Sequence, residues 1–408
     1  IIPKDNLIQM LAIFQNSKDF FDIKVMLQLF SAIIEISDSA NDNLQILISN
    51  SFLEIIRDFI IQIPNLDAYL TKSRGKHSQK KSLLNCYLKV IFQLHNSAEK
   101  DPPLGEIIGA TFDLGFFFAL FKEINEQPIT DNERLLWFQT VEISIRHSEI
   151  DDPSILTTFL ELCHSELTKI HENTPYDVKI LDVLSLLLSK YPTESINWEC
   201  FVSLGFPAIL SDLIKCDDIS DDNADDLQYF GDYRTISSAS KCIAQCALHK
   251  FVDFNFTIID VYHSAIHFDH ADMLENLFLA YYNMAFNNVI FRNNFFIIDT
   301  NEFVKHAFTY TFSIQNLIGV FFAKMIPLGQ SEQIKFLLDP PIVFEFLYHI
   351  FQSSDADVVL AVLNCFLSIG EIIASTLSES ASEIFAEFIP KDIEQIIDSF
   401  HNDECIDL

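Results

Sequence analysis

The segments "SLGFPAILSDLI" (203–214) and "DLGFFFALFKEI" (113–124) share one layout. In both, Leu precedes Gly-Phe, a second Leu (Leu210 or Leu120) follows five residues past the glycine, and Ile214 or Ile124 follows nine past it. Gly115 and Gly205 lie 90 residues apart, and the Pro-Pro break in "LLDPPIVFEFLYHI" (337–350) puts Pro340 a further 135 residues on. Those gaps are two and three units of 45. A fixed internal period of ~20–50 residues is the signature of stacked units that cannot bury their apolar faces alone.

One unit can be read around Gly205. A short apolar segment, "ESINWECFV" (194–202), precedes the glycine, and "PAILSDLIK" (207–215) follows it. Gly205 supplies a turn conformation that a side chain would penalise. Pro207 falls in the next helix's first turn, where its missing N–H costs nothing. The acidic stretch "DDISDDNADD" (217–226) then leads to a third helix, "YRTISSASKCIAQCALH" (233–249). The same spacing predicts third helices at 22–36, 81–94, 132–145, 176–188, 271–286, 312–325 and 355–370. Several units lack the glycine, and Ser51 stands in its place before "FLEIIRDFI". Pro64, Pro128, Pro153, Pro175, Pro192 and Pro327 fall between the helical segments, where proline is tolerated.

This helix, glycine turn, helix, loop, longer helix pattern resembles the armadillo/HEAT family of helical repeats. The resemblance covers nearly the whole chain and implies an all-α, right-handed superhelical solenoid of about eight repeats. Residues 1–408 would form a single repeat domain. It would carry loop insertions at 71–81 (basic, with Lys72, Arg74, Lys76, Lys80 and Lys81) and at 217–232 (acidic).

Composition narrows the function. Only 9 of 408 residues are Gly, against an average near ~7%, which disfavours phosphate-cradling loops and β-hairpins. The formal charge of −32 repels phosphate backbones, so nucleic acid is not an expected partner, whereas a basic protein or peptide is favoured electrostatically. The eight cysteines (86, 163, 200, 216, 242, 246, 365 and 405) form no C-x-x-C pair. Free thiols in the cytoplasm are therefore expected, with the nucleus as the alternative. The start has no leader pattern, and the most apolar run, 107–121, contains Asp113 and two glycines, so no membrane insertion is expected.

Candidate chemistry is sparse. Asp221, Asn223, Asp225 and Asp232 occupy positions 1, 3, 5 and 12 of a calcium-loop register, but Asp226 replaces the glycine at position 6. His263 and His267 share a helix face beside His270 without a nearby cysteine or the metalloprotease glutamate. Cys242 and Cys246 read as small packed residues. No Walker, dinucleotide, serine-elbow or kinase motif occurs. The chain is expected to be no enzyme and to need no cofactor or metal.

In the nuclear-import adaptors of the armadillo class, the third helix presents Trp and, four residues on, Asn to an extended basic peptide. This chain splits the pair: Trp137 is followed by Val141, and Asn283 is preceded by Leu279. Placing the two ladder positions on each third helix gives Asn85, Lys89, Trp137, Asp182, Lys241, Gln245, Asn283, Asn364 and Ser368 as partner-binding candidates. The expected activity is non-catalytic binding of a protein or peptide on the third-helix face. A nuclear-transport-type adaptor for basic peptides and a metal-regulated interaction module are the alternatives.

Overall fold

A computed structural model describes residues 2–17, 19–36, 42–62, 76–99, 101–113, 115–117, 120, 130–147, 153–168, 175–191, 195–215, 233–248, 254–268, 270–297, 300–337, 342–351 and 355–376. Among the described residues the chain is all-α, with no strand, and no helix is long and apolar enough to cross a membrane. Contacts divide it into two compact units, Ile1–Leu204 and Gly205–Leu408.

The first unit contains α1 (Lys4–Asn16), α2 (Phe20–Ile36), α3 (Asp42–Ser49), α4 (Phe52–Gln62) and α5 (Lys76–Ala98). It continues with α6 (Pro102–Thr111), α7 (Asp131–His147), α8 (Pro153–Leu167), α9 (Pro175–Lys190) and α10 (Trp198–Ser203). Its long helices pack in chain order, α2 on α5, α5 on α7 and α7 on α9. Asn85 and His95 of α5 reach Glu133 and His147 of α7. Partners that ascend together mean that the two helices run parallel.

The second unit contains α11 (Phe206–Ile214), α12 (Tyr233–Leu248), α13 (Ile258–His267), α14 (Ala271–Asn287) and α15 (Val289–Ile297). Beyond these lie α16 (Thr300–Ala307), α17 (Phe312–Met325), a 3-10 turn (Ile326–Leu328), α18 (Ser331–Leu337), α19 (Ile342–Phe351) and α20 (Ala356–Thr376). Here α12 packs on α14, α14 on α17 and α17 on α20. The α12 sequence explains its extensive contact with α14. Thr235, Ser237, Ser238, Ala239, Ser240, Cys242, Ala244, Cys246 and Ala247 are all buried, and such small side chains let two helix backbones approach closely.

Local signals set the helix starts. Asp101 accepts from Leu104 N ahead of two prolines in the first turn of α6. Asn197 accepts from Cys200 N at 3.0 Å to start α10, and Thr257 and Asp260 form a capping box on α13. Gly205 has φ +81° immediately before α11, as expected for the glycine turn, and Pro207 lies in the first turn. Ser51 takes the same left-handed conformation, φ +61°, immediately before α4. Gly115 departs from this pattern. It does not adopt positive φ, and the Asp113 carboxylate instead accepts from Phe116 N at 2.7 Å. The basic insertion also ends earlier than expected: α5 begins at Lys76, so Lys76, Lys80 and Lys81 are helical. Gly75 is the last helix breaker there. The acidic stretch 217–232 and Pro340 lie outside the described residues.

Two expected outcomes follow from these local features. Left-handed backbone costs a side chain ~1–2 kcal/mol, partly offset by glycine's greater freedom in the unfolded chain, ~0.4–1 kcal/mol. Ser51→Gly should therefore stabilise the protein by about 0.5–1 kcal/mol in urea melts, and Gly205→Ala should destabilise it by a similar amount.

The second concerns His95, which is fully buried, with its ring parallel to His147 and the two Nδ1 atoms 3.2 Å apart. One Nδ1 must donate and the other accept, so a doubly charged pair loses the bond. Burial, aided by His147, lowers the His95 pKa to about 3. Burial also lowers that of His147, against the opposing pull of Glu99 and with help from Lys190 and Arg146. The neutral pair stabilises the fold fully above the unfolded histidine pKa of ~6.5. For His95 that contribution is lost by up to ~1.4 kcal/mol per pH unit as the pH falls toward about 3, and the lowered pKa of His147 adds to the slope. Melting temperature should drop across this window, and His95→Leu should flatten the drop.

Candidate functional site

A groove of about 390 Å³ lies in the second unit on α14, α17 and the head of α20. From α14 come Ala271, Glu275, Phe278, Leu279 and Tyr282, which recur every three to four residues and so share one helix face. From α17 come Ser313, Asn316, Leu317, Val320, Phe321 and Lys324, again one face. Asp355 and Val358 complete the lining. The floor is buried and aromatic: Phe278 and Phe321 stack with centroids 4.5 Å apart and planes at 13°. Leu279 stands on the rim at 45% exposure.

The stacked pair fixes the register of the two helices. The lining reaches seven residues before Phe278 and eight before Phe321, but only four and three residues after them. Such extents match when α14 and α17 run parallel. Glu275 and Lys324, both exposed, then fall on opposite sides of the aromatic floor. Asp355 is partly committed, since its carboxylate accepts from Asp357 N and Val358 N at the start of α20.

Beside the groove, α14 is pinned to α12 by three amide side chains. Asn276 donates to Ser237 Oγ (3.0 Å), Asn283 to the Ala244 carbonyl (3.1 Å) and Asn287 to the Ala247 carbonyl (2.8 Å). Asn283 thus binds a neighbouring helix backbone inside the unit. Trp137 is core, 1% exposed, stacked at 6.1 Å on Phe159 and edge-on to Phe138. Its burial removes it from any surface that a partner could reach. Asn85 is half-buried and donates to Glu133, and Asp182 pairs with Lys179 at 3.3 Å. Lys89, Lys241 and Asn364 are exposed, and Gln245 and Ser368 are half-buried.

None of the nine ladder candidates lines the groove. Leu279, at the position where the adaptor family carries Trp, does line it. Sequence reasoning placed no candidate on α17, because its apolar face looks the same whether covered or bare. In the first unit, Phe21, Val25, Leu29 and Ile36 form an exposed apolar row on α2. A row on a single helix encloses no volume, so the groove is the better-formed candidate.

Metal chemistry finds no cluster here. Among the described residues no group of three or more His, Cys, Asp or Glu could hold an ion. His263 and His267 lie on α13, while His270 precedes α14 and stacks on Tyr233 at 3.9 Å. The six described cysteines are free thiols. Burial pushes the Cys163, Cys246 and Cys365 thiols far above their ordinary pKa, which makes them unreactive. No family model matches the sequence, and no curated protein matches it.

Floor and rim should respond differently to substitution. Phe321→Ala opens a cavity and should cost about 3–5 kcal/mol. The double change Leu279→Gln/Val320→Gln leaves a good helix former at both positions and should cost no more than about 1–2 kcal/mol. Thermal melts of the two variants read the difference.

Proposed function

We propose that the chain carries about eight armadillo/HEAT-like repeats, four in each unit, and acts as a non-catalytic protein-binding scaffold. The support is the succession of long helices in chain order, α2, α5, α7 and α9 in one unit and α12, α14, α17 and α20 in the other. The matching left-handed junctions at Ser51 and Gly205 add to it. A repeat stack leaves one face of each third helix for recognition, and repetition of that face builds a continuous binding surface.

The observation that carries the binding reading is the groove formed by three successive long helices, with an aromatic floor and an exposed leucine at its rim. Apolar concavities bordered by a few charges are where proteins dock ligands or partners. Free thiols and a strongly acidic surface suit a cytoplasmic or nuclear adaptor, and the charge would speed encounter with a cationic partner.

The test uses the full chain and the folded Leu279→Gln/Val320→Gln variant as paired baits, with dissociation constants measured for each recovered protein. At least one partner should bind the parent saturably and the variant tenfold or more weakly. Equal affinity for both baits across every partner would remove the groove from the function.

A further inference from the structure

We propose that the groove receives one amphipathic α-helix laid antiparallel to α14 and α17, with acidic side chains in its first turn and basic ones in its last. The proposal rests on the groove being a docking surface and names what docks there.

Periodicity selects a helix over an extended strand. The lining side chains rise in steps of one helical turn along both walls, from Ala271 to Tyr282 and from Ser313 to Lys324. That is ~5.4 Å per step over a length of ~16 Å. A guest helix repeats its same-face side chains at the same interval, so its ridges stay in phase with the walls. A strand repeats every ~6.6 Å and drifts ~4 Å out of phase over three steps.

Backbone chemistry points the same way. An extended guest needs partners for its N–H and C=O groups, whereas a helix satisfies its own. The lining holds a single amide, Asn316, with Tyr282, Ser313 and the charged Glu275, Lys324 and Asp355, and so offers no repeated amide ladder to an extended backbone.

Charge fixes direction. Glu275 lies three residues before Phe278 and Lys324 three residues after Phe321. With the rings level, the two charges are ~9 Å apart along the groove. Among the described residues neither makes an ion pair. A free-standing helix favours acidic residues in its first turn and basic residues in its last, where they complement its dipole. Such a helix meets Lys324 with its acidic start and Glu275 with its basic end in only one orientation, antiparallel to α14 and α17.

The test is a displayed library of twelve-residue peptides with leucine fixed at positions 3, 6, 7 and 10 and all other positions random. It is selected on the full chain and counter-selected on Leu279→Gln/Val320→Gln. Enriched peptides should carry Asp or Glu in the first turn, Lys or Arg in the last, and no internal proline. A winning peptide should bind Glu275→Lys about tenfold more weakly and recover when its last-turn basic residues become Glu. Enriched peptides with the reverse charge order, no charge preference or an internal proline would overturn the helix proposal and leave the docking surface standing. If no peptide distinguishes the parent from the double variant, both fall.

Discussion

Every unit of this molecule depends on hiding helices that are apolar or small on more than one flank. In α12, buried residues run from Thr235 to Ser240 and resume at Cys242, so nearly its whole circumference needs cover. In α7, Trp137, Phe138, Val141, Ile143 and Ile145 make the same demand. A helix of this kind is stable only between neighbours, since burial is worth about 25 cal/mol per Å² of apolar surface and isolated helices are marginal. Among the described residues, packing of the long helices in chain order within each unit meets that demand. Charged residues join the interior where a partner accompanies them, as Glu166 does with Arg134.

Much of this was legible in the sequence, for identifiable reasons. Apolar spacing located the long helices: 312–325 agrees at both ends, and 233–249 and 271–286 agree to within one residue. The Gly205 turn was readable because a glycine followed by Phe-Pro has few other uses. Ser51 shows that position in the unit can demand left-handed backbone even where the residue pays a strain for it. Gly115 shows the limit of the same logic, because Asp113 caps the following turn and the glycine is not asked for positive φ. The early start of α5 was missed because lysine and glutamine suit a helix and a solvated loop equally.

The groove was harder to foresee. Phe278 and Leu279 are adjacent and similarly apolar, yet one is floor and the other stands 45% exposed on the rim. Hydropathy does not separate them; the neighbouring helix does. The ladder positions failed to find the groove because they assume that polar side chains at fixed offsets face a guest. Here Trp137 is taken by the core and Asn283 by the neighbouring backbone. A guest in the proposed groove would meet an apolar seam, which suits partners that supply side chains over partners that supply peptide bonds.

The three asparagine rungs between α14 and α12 have a mechanical consequence. Helices held together by side-chain packing alone can slip lengthwise from one ridge to the next. Fixed donors at Asn276, Asn283 and Asn287 oppose that motion along α14. Sliding α14 lengthwise along α12 would break all three bonds, so this pair resists shear more than packing alone would allow.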